Sequence, residues 1–471
     1  MATRRRHVAR LSLATWPREV PESVGIVHLG IGAFHRAHQA VHTEDAGDGW
    51  GICGVSQRSP DVVDRLAPQD GLYSVLVRGP GAGDEAARVI GSVREVRWAG
   101  ADPDAAVARI ADPGVRVVSL TVTEKGYRHD PATGRLRLTD PEIAQDVQGR
   151  PPRTVIGQVV RGLAARQAPI SVLCCDNLPS NGSTLRGLVD DFAGAAGVRI
   201  TCEVTFPSTM VDRITPATTP ADLDAVERLL GLRDLAAVVT EPFSQWVIED
   251  HFAAGRPAWD KGGAIFTGDV APYESMKLRL LNGAHSTLAY LGALAGFELV
   301  SDAIGPLGAA VVRLMDDDVT PTLSVPDGFD LEAYKASLLE RFANPALRHR
   351  TVQIAMDGSQ KLPQRLLGTV RDRLAAGAEP RWAALGVAAW LRYVWAGATD
   401  DGAPLPLDDP LHDRLRTAVD GLRDPDAVAD ALLALEEIFG PDLPDSPVFR
   451  ALVTDWLTGL SRDGVLGALR G

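Results

Sequence analysis

A lysine, an asparagine and a histidine recur at close spacing in the second half of the chain. Lys277, Asn282 and His285 are five and three residues apart, within a largely apolar run. At about 100° per residue they fall within an arc of roughly 140° on one α-helix. A partly desolvated lysine near a helix N-terminus has a lowered pKa and can act as a base near neutral pH. Spacing alone, however, favours a surface lysine followed by a helix-capping asparagine.

The chemistry that these three side chains could perform is removal of a proton from a hydroxyl group. Oxidation of an alcohol by hydride transfer needs a base for that proton and donors that steady the alkoxide. The amide of Asn282 can donate to the alkoxide, and His285 can orient the lysine or bind the substrate. The helix that carries them is therefore a candidate catalytic element.

A pair of glycines follows an apolar run near the start of the chain. In a dinucleotide site, a glycine at the position of Gly30 permits the tight turn, and one at Gly32 lets the backbone approach a pyrophosphate. His35 replaces the third glycine of the usual motif, and an ordinary tight turn meets the same pattern. Because a predicted strand precedes the pair and a helix follows it, we predict a dinucleotide site that also includes Ala33 and Phe34.

The end of the second predicted strand bears on the choice of cofactor. The acidic residue usual there is missing, and Arg58 and Asp61 follow instead. A carboxylate at this place binds the ribose hydroxyls of NAD, whereas an arginine accepts the additional phosphate of NADP. We expect NAD, with Asp61 serving the ribose from the loop, and Arg58 keeps NADP open.

Three histidines in the following helix raise the question of a metal. His35, His38 and His42 could share one helix face. No cysteine or carboxylate pair completes a ligand set nearby, so we predict polar packing and no metal.

The elements that position these residues divide the chain into two domains. Strand-like and helical runs alternate up to about residue 207, which is typical of βαβ units and a mostly parallel sheet. The strand candidates are 24–30, 50–56, 73–78, 115–123, 170–176 and 199–206. From about residue 271 the apolar residues follow a helical period. We predict an α/β Rossmann-type domain over 1–270 and a mainly α-helical domain over 271–471.

Composition narrows the class of protein. The 471 residues carry a formal net charge of -13, which disfavours nucleic acid and anionic membranes as partners. Four cysteines in apolar runs predict buried thiols in a reducing compartment. The basic N-terminal segment lacks the apolar core of a signal peptide, and the longest weakly polar run is too short to span a membrane. We expect a soluble, cytoplasmic protein.

Seven segments, in order between about residues 24 and 365, together resemble the polyol-specific long-chain dehydrogenases, the mannitol dehydrogenase family. They are GIGAFHRAHQ, TVTEKGY, CDNLPSNG, FPSTMVDRITP, EPFSQWVIED, KLRLLNGAHS and DDDVTPTL. The resemblance implies a zinc-independent enzyme with a nicotinamide cofactor. It also implies a Rossmann domain followed by a helical domain like that at the C-terminus of 6-phosphogluconate dehydrogenase, and it is compatible with a monomer.

The resemblance also implies roles for individual residues. Lys277 becomes the general base, and Asn177 and Asn282 form an oxyanion clamp. Glu124 resembles a glutamate that handles proton exchange near the base, and Asp212 resembles a polar residue on the substrate side. Independently of the resemblance, Glu124 and Asn177 each follow a predicted strand, and parallel sheets bind ligands at the carboxyl ends of their strands.

The substrate is predicted from a basic pair in the second domain. Lys361 and Arg365 are four residues apart and could pair with the carboxylate of a sugar acid. The mannitol branch of the family would have a basic residue near Gln353, which is absent here. We therefore favour D-mannonate and D-fructuronate over D-mannitol and D-fructose, or another polyol such as arabinitol. A non-catalytic nucleotide or sugar sensor is a remote alternative, because the catalytic side chains are all present.

Overall fold

A computed structural model describes residues 8–81, 83–130 and 133–470 of the chain. The chain forms two compact units, of which the first ends at Ala271 and the second begins at Pro272. The described helices include none that is long and apolar enough to cross a bilayer.

The first unit alternates strands and helices. Its strands are β1 (Ser23–Leu29), β2 (Trp50–Ser56), β3 (Tyr73–Arg78), β4 (Glu85–Ile90), β5 (Val93–Trp98), β6 (Val117–Leu120), β7 (Ile170–Cys174), β8 (Val204–Thr205), β9 (Thr209–Asp212), β10 (Val238–Thr240), β11 (Gln245–Glu249) and β12 (Ile265–Thr267). Its α-helices are α1 (Ala33–Ala37), α2 (Gln39–Ala46), α3 (Asp61–Leu66), α4 (Pro103–Ala111), α5 (Pro141–Val147), α6 (Val155–Ala164), α7 (Asn181–Ala196) and α8 (Pro220–Leu230). Single 3₁₀ turns span Ala67–Gln69 and Glu124–Tyr127.

The main sheet of this unit has six parallel strands in the order β5-β2-β1-β6-β7-β8. Its central strands are apolar runs because both faces are covered, as expected of a parallel sheet. Val27 of β1 packs in the cluster that contains α4, α6 and α7, whereas Ile26 packs in the cluster with α1 and α2. The strand order turns back between β1 and β6, and sheets of this kind bind ligands at such a point.

Two small sheets complete the first unit, in the orders β10-β3-β4 and β12-β11-β9. The run at 73–78 was expected in the main sheet, but it forms β3 of a small sheet instead. It pairs there with β4 in an antiparallel hairpin and with β10. β5 takes the place at the edge of the main sheet.

The second unit is mainly helical, as predicted. Its α-helices are α9 (Ala271–Met276), α10 (Ala284–Leu294), α11 (Val300–Arg313), α12 (Leu331–Ala343), α13 (Thr351–Ala355), α14 (Gly358–Leu362), α15 (Gly368–Ala375), α16 (Arg381–Ala396), α17 (His412–Val419), α18 (Pro425–Leu433), α19 (Glu436–Phe439) and α20 (Pro447–Ala468). Short 3₁₀ turns span Thr320–Thr322 and Pro345–Leu347, and π-helical segments span Lys277–Gly283, Leu314–Val319 and Pro363–Leu367. Helices α10 and α16 are apolar and buried over most of their length, so they form the centre of this unit.

Candidate active site

The glycine turn after β1 is held by its neighbours. Gly30 has φ +100°, and a Cβ atom there would lie 2.1 Å from the carbonyl oxygen of Thr121. The carbonyl of Gly30 accepts hydrogen bonds from Gly32 N (2.6 Å) and from the hydroxyl of Thr121 (2.9 Å). Only glycine fits this backbone and this contact, so Gly30 serves the fold of the turn itself.

Gly32 differs, because the protein around it leaves room for a side chain. It has φ -83°, and the nearest atom to an added Cβ would be Gly30 O at 3.7 Å. Gly32 is exposed and lines a cleft of 410 Å³ at the carboxyl edge of the main sheet. A Cβ atom there would occupy space in the cleft, so the missing side chain leaves room for a ligand to approach the backbone.

The cleft has the residue types that a dinucleotide requires. It is lined by residues 30–32 of the glycine turn, by residues 56–59 after β2, and by residues 121–123 after β6. Arg58 and Asp61, predicted from the sequence, both line it. Arg65, which sequence reasoning missed, lines the cleft as well. Ala33 and Phe34 are not among the described residues that line it.

The histidines near this turn are buried core residues. His42 Nδ1 lies 2.8 Å from the carbonyl of Gly262, and His38 Nε2 lies 3.0 Å from that of Gln245. The rings of His28 and His35 stack with their centroids 3.4 Å apart. Burial lowers the pKa of His42 to about 4. In the part of the chain that the structure describes, no group of three His, Cys, Asp or Glu side chains could hold a metal ion.

A buried network of polar side chains supports the glycine turn, and the sequence analysis did not predict it. His28 Nδ1 lies 2.8 Å from Ser119 Oγ, which donates to Gln39 Oε1 (2.7 Å). On the other side, His28 Nε2 lies 2.8 Å from the Thr121 hydroxyl that donates to Gly30. Burial lowers the pKa of His28 to about 3, so the ring is neutral and its single N–H can donate to only one of the two hydroxyl oxygens.

The predicted residues after β6 and β7 lie at the same edge of the sheet. Glu124 and Asn177 are exposed. Between them, the carboxylate of Asp176 accepts hydrogen bonds from Val122 N (2.8 Å), Thr123 N (3.1 Å) and the hydroxyl of Tyr127 (2.7 Å). Sequence reasoning missed Asp176, although it directly precedes Asn177.

Thr123 has an unusual backbone, with φ 66° and ψ 158°. A β-branched residue in this region costs about 1 to 3 kcal/mol, and such residues cluster at functional sites. The predicted substrate residue Asp212 lies in the small sheet β12-β11-β9. It is the buried last residue of β9 and pairs with Gln245 of β11.

The lysine helix of the second unit is not a continuous α-helix. Lys277 is buried and begins the π-helical segment that ends at Gly283. In π geometry each backbone hydrogen bond spans five residues, so Lys277 and Asn282 lie one turn apart on the same face. The expectation of a lysine at a helix N-terminus is wrong, since α9 begins at Ala271. The helix dipole acts mainly within the first turn, and Lys277 lies beyond the first turn of α9.

His285 follows in the first turn of α10 and packs among rings and cations. Its ring stacks on Phe342 at 5.2 Å and lies 5.5 Å from the ring of His349. Burial, followed by the nearby His349 and Arg365, lowers the pKa of His285 well below its usual value. Its Nε2 atom is buried and has no hydrogen-bond partner among the described residues. A neutral imidazole with an unpaired nitrogen is suited to bind a substrate hydroxyl.

The two predicted substrate cations have different surroundings. Arg365 lies in the π-helical segment Pro363–Leu367 and donates to Ser286 Oγ (2.9 Å), the neighbour of His285. A Cβ atom on Gly283 would lie 2.8 Å from Arg365 O, so the two π-helical segments pack at backbone contact. The ammonium of Lys361 instead donates to the carbonyls of Ile354 (3.2 Å) and Met356 (2.5 Å).

Comparisons with known proteins place this arrangement in a family. The model of the mannitol dehydrogenase Rossmann domain matches residues 24–261, and that of the mannitol dehydrogenase C-terminal domain matches 269–460. The chain belongs to the mannitol dehydrogenase family. This confirms the predicted resemblance, the α/β Rossmann-type fold with a helical C-terminal domain, and the prediction of an oxidoreductase.

Individual members of the mannitol dehydrogenase family match over nearly their whole length. An uncharacterised oxidoreductase of Escherichia coli, YdfI, is 47% identical, with 93% of each chain covered. The D-mannonate oxidoreductase of E. coli is 44% identical, with 91% of each chain covered. A solved complex of Pseudomonas fluorescens mannitol 2-dehydrogenase with NAD and D-mannitol has 38% identity and a TM-score of 0.82, covering 99% of this chain and 96% of that one.

Proposed function

We propose that the protein is an NAD-dependent dehydrogenase that interconverts D-mannonate and D-fructuronate. The observation that carries this proposal is the guanidinium of Arg365, which is held by Ser286 beside His285. A sugar acid brings a carboxylate that needs a paired cation, because a lone carboxylate out of water costs several kcal/mol. The similarity to a D-mannonate oxidoreductase supports the same substrate class.

The cofactor proposal rests on the glycine turn and its cleft. Gly32 would let the backbone approach the pyrophosphate, in the turn that Gly30 makes possible, and Arg58 and Asp61 would meet the adenosine ribose. The complex of the Pseudomonas relative, which contains NAD, supports this choice. When bound, NAD accepts the hydride that leaves the carbinol carbon.

The second unit would supply the base. Lys277, in its neutral form, takes the proton of the substrate hydroxyl as the alcohol is oxidised, and it returns that proton in the reverse direction. Asn282, one turn along the same face, donates its amide N–H to the developing alkoxide. The unpaired Nε2 of the neutral His285 binds a substrate hydroxyl. This hydrogen bond is favourable because a buried nitrogen without a partner destabilises the protein.

The first unit would contribute polar groups at the carboxyl edge of its sheet. By their likeness to the family pattern, Asn177 would donate to an oxygen of the substrate, and Glu124 would exchange a proton with water. Asp212 would bind a more distant hydroxyl of the substrate. The exposed positions of Asn177 and Glu124 support these roles.

The role of the base is tested by Lys277→Ala in an assay of NADH formation with D-mannonate and with D-mannitol. Loss of a general base lowers kcat by about two to four decades and leaves the dissociation constant of NADH unchanged. The matched control is Lys261→Ala, because Lys261 is an exposed lysine of the first unit. Near-parental kcat in Lys277→Ala would remove the lysine from the mechanism.

The substrate is tested by comparing reduction of D-fructuronate and D-fructose in the parent, in Lys361→Met and in Arg365→Met. Loss of a carboxylate partner should raise the activation free energy calculated from kcat/KM, and the rise should be about 2 to 4 kcal/mol larger for fructuronate than for fructose. The variant with the larger selective loss identifies the cation that binds the carboxylate. Equal losses on both substrates would mean that the pair binds sugars in general.

A second substrate pair, D-mannitol and D-fructose, is favoured by the surroundings of Lys361. Two N–H donors of this ammonium bond main-chain carbonyls, which supports a structural role for Lys361. The similarity to a mannitol 2-dehydrogenase points the same way. A parent enzyme that prefers fructose to fructuronate would establish this alternative.

A further inference from the structure

The loop after β6 holds a strained residue directly before a proposed substrate residue. Thr123 has φ 66° and ψ 158°, a region that only glycine enters without cost. Glu124 follows it and begins the 3₁₀ turn Glu124–Tyr127. The backbone of Thr123 therefore sets the direction in which Glu124 leaves the sheet.

A single carboxylate, from the neighbouring strand end, binds both sides of this strained residue. Asp176 Oδ1 accepts from Thr123 N (3.1 Å), and its Oδ2 accepts from Val122 N (2.8 Å) and from the Tyr127 hydroxyl (2.7 Å). Tyr127 is itself fully buried. The three donors come from one short segment, so the carboxylate fixes that segment as a unit.

The same carboxylate belongs to the residue before Asn177. Its attachment to the β6 loop therefore links the backbone of Asn177 to that of Glu124. Burial raises the pKa of Asp176, and the bonds from Val122 and Tyr127 counter this effect. Since both of its oxygens already accept protein donors, Asp176 has no need of a substrate contact to be stable.

We propose that Asp176 is a positioning residue, whose carboxylate holds Thr123 in its left-handed backbone and so fixes Glu124 and Asn177 relative to each other. The inference rests on the proposed function only in giving Glu124 and Asn177 a role toward the substrate. The hold on Thr123 itself is a property of the first unit alone.

The test is a double-mutant cycle of Asp176→Asn and Thr123→Gly. Activity is measured with D-mannonate or D-mannitol, whichever the parent oxidises faster, and NADH binding by fluorescence titration. Asp176→Asn should lower kcat at least tenfold and change the NADH dissociation constant less than twofold. Adding Thr123→Gly should then recover kcat at least threefold, because glycine adopts this backbone without the carboxylate.

The matched control is Asp146→Asn in the same unit. Asp146 is also buried and accepts from Arg153 N, Thr154 N and the Thr154 hydroxyl, so its loss should lower stability in the same way. Its kcat should stay at the parental value, and Thr123→Gly should not change the outcome. Equal loss of kcat in Asp146→Asn, or no recovery of Asp176→Asn by Thr123→Gly, would overturn the positioning role.

Three further variants keep the result decisive. If Asp176→Asn does not fold, Tyr127→Phe removes one donor from the intact carboxylate, and it should lower kcat about two- to fivefold. That loss should also be recovered by Thr123→Gly, and an unaffected kcat would overturn the proposal. Glu124→Gln and Asn177→Ala separate the two levels of inference. If they lower kcat while Asp176→Asn does not, positioning fails alone; if they leave kcat intact, their proposed role in the reaction fails.

Discussion

The two glycines of the turn after β1 should respond to the same substitution in opposite ways. Gly30→Ala places a side chain at φ +100° and 2.1 Å from the carbonyl oxygen of Thr121. The unfavourable backbone conformation alone lowers the free energy of unfolding by about 1 to 2 kcal/mol. The backbone shift needed to relieve the contact with Thr121 lowers it further. We expect a loss of about 2 kcal/mol or more, which lowers Tm by about 4 to 8 °C for a domain of this size.

Gly32→Ala should leave stability nearly unchanged and weaken cofactor binding. The backbone at φ -83° accepts alanine, and the nearest atom to the new Cβ lies at 3.7 Å. We expect a stability change within about 0.5 kcal/mol. The methyl group occupies the cleft, so the dissociation constant of NADH should rise at least tenfold, or about 1.4 kcal/mol.

Thermal unfolding and NADH fluorescence titration of the same samples measure both effects. Gly187→Ala in helix α7 is the control, because nothing lies within 4 Å of a Cβ atom there. It should keep parental NADH binding and gain stability, since alanine favours a helix. Parental NADH affinity in Gly32→Ala would refute the assignment of the cleft to the pyrophosphate. Equal destabilisation of Gly30→Ala and Gly32→Ala would refute the division of roles between them.

Three further outcomes are expected. Arg58→Ala should keep NAD kinetics and weaken any use of NADP, as measured by kcat/KM for both cofactors; a parent that prefers NADP and loses that preference would show that Arg58 binds the phosphate. Exhaustive chelation should leave activity unchanged in a direct assay, and recovery of lost activity by zinc would contradict this expectation. His28 and His42 have folded-state pKa values of about 3 and about 4, below the unfolded value of 6.5, so the unfolded chain binds their protons first. The free energy of unfolding is therefore highest above pH 6.5, and it decreases toward pH 4 by up to about 1.4 kcal/mol per pH unit for each histidine. Urea unfolding across this pH range measures the decrease. His42→Gln should reduce the dependence of the unfolding free energy on pH.

The parallel sheet was predictable where its strands are apolar on both faces. The runs that became β1, β2, β6 and β7 are nearly continuous in Val, Ile, Leu and Cys, and their burial explains that composition. β5 was missed because three of its six residues are charged, as suits a strand at the edge of the sheet. The place of β3 was missed because hairpin pairing depends on a partner strand, β4, whose exposed residues carry little signal.

Within the candidate site, residues with a proposed chemical role were easier to find than residues with a proposed positioning role. Lys277, Asn282 and the glycine pair are visible as types at a spacing. Asp176 is visible only through its bonds to Thr123 and Tyr127, about fifty positions earlier in the chain. Two partners of Lys361 are main-chain carbonyls, which leave no mark in a sequence. The spacing of apolar residues in the sequence does not distinguish a π-helical turn from an α-helical turn.

The π-helical segment Lys277–Gly283 makes the chain respond asymmetrically to changes in its length. A π turn accommodates one residue more than an α turn between the same flanking helices. Deleting one residue between Lys277 and Asn282 would leave a spacing of four, which an ordinary α-helix also aligns on one face. An insertion would require a still wider turn, and straightening without a deletion would rotate Lys277 by about 100° relative to α10. Substitutions chosen only to strengthen the helix would therefore turn Lys277 away from Asn282, whereas a one-residue deletion would regularise the helix and keep the two on one face.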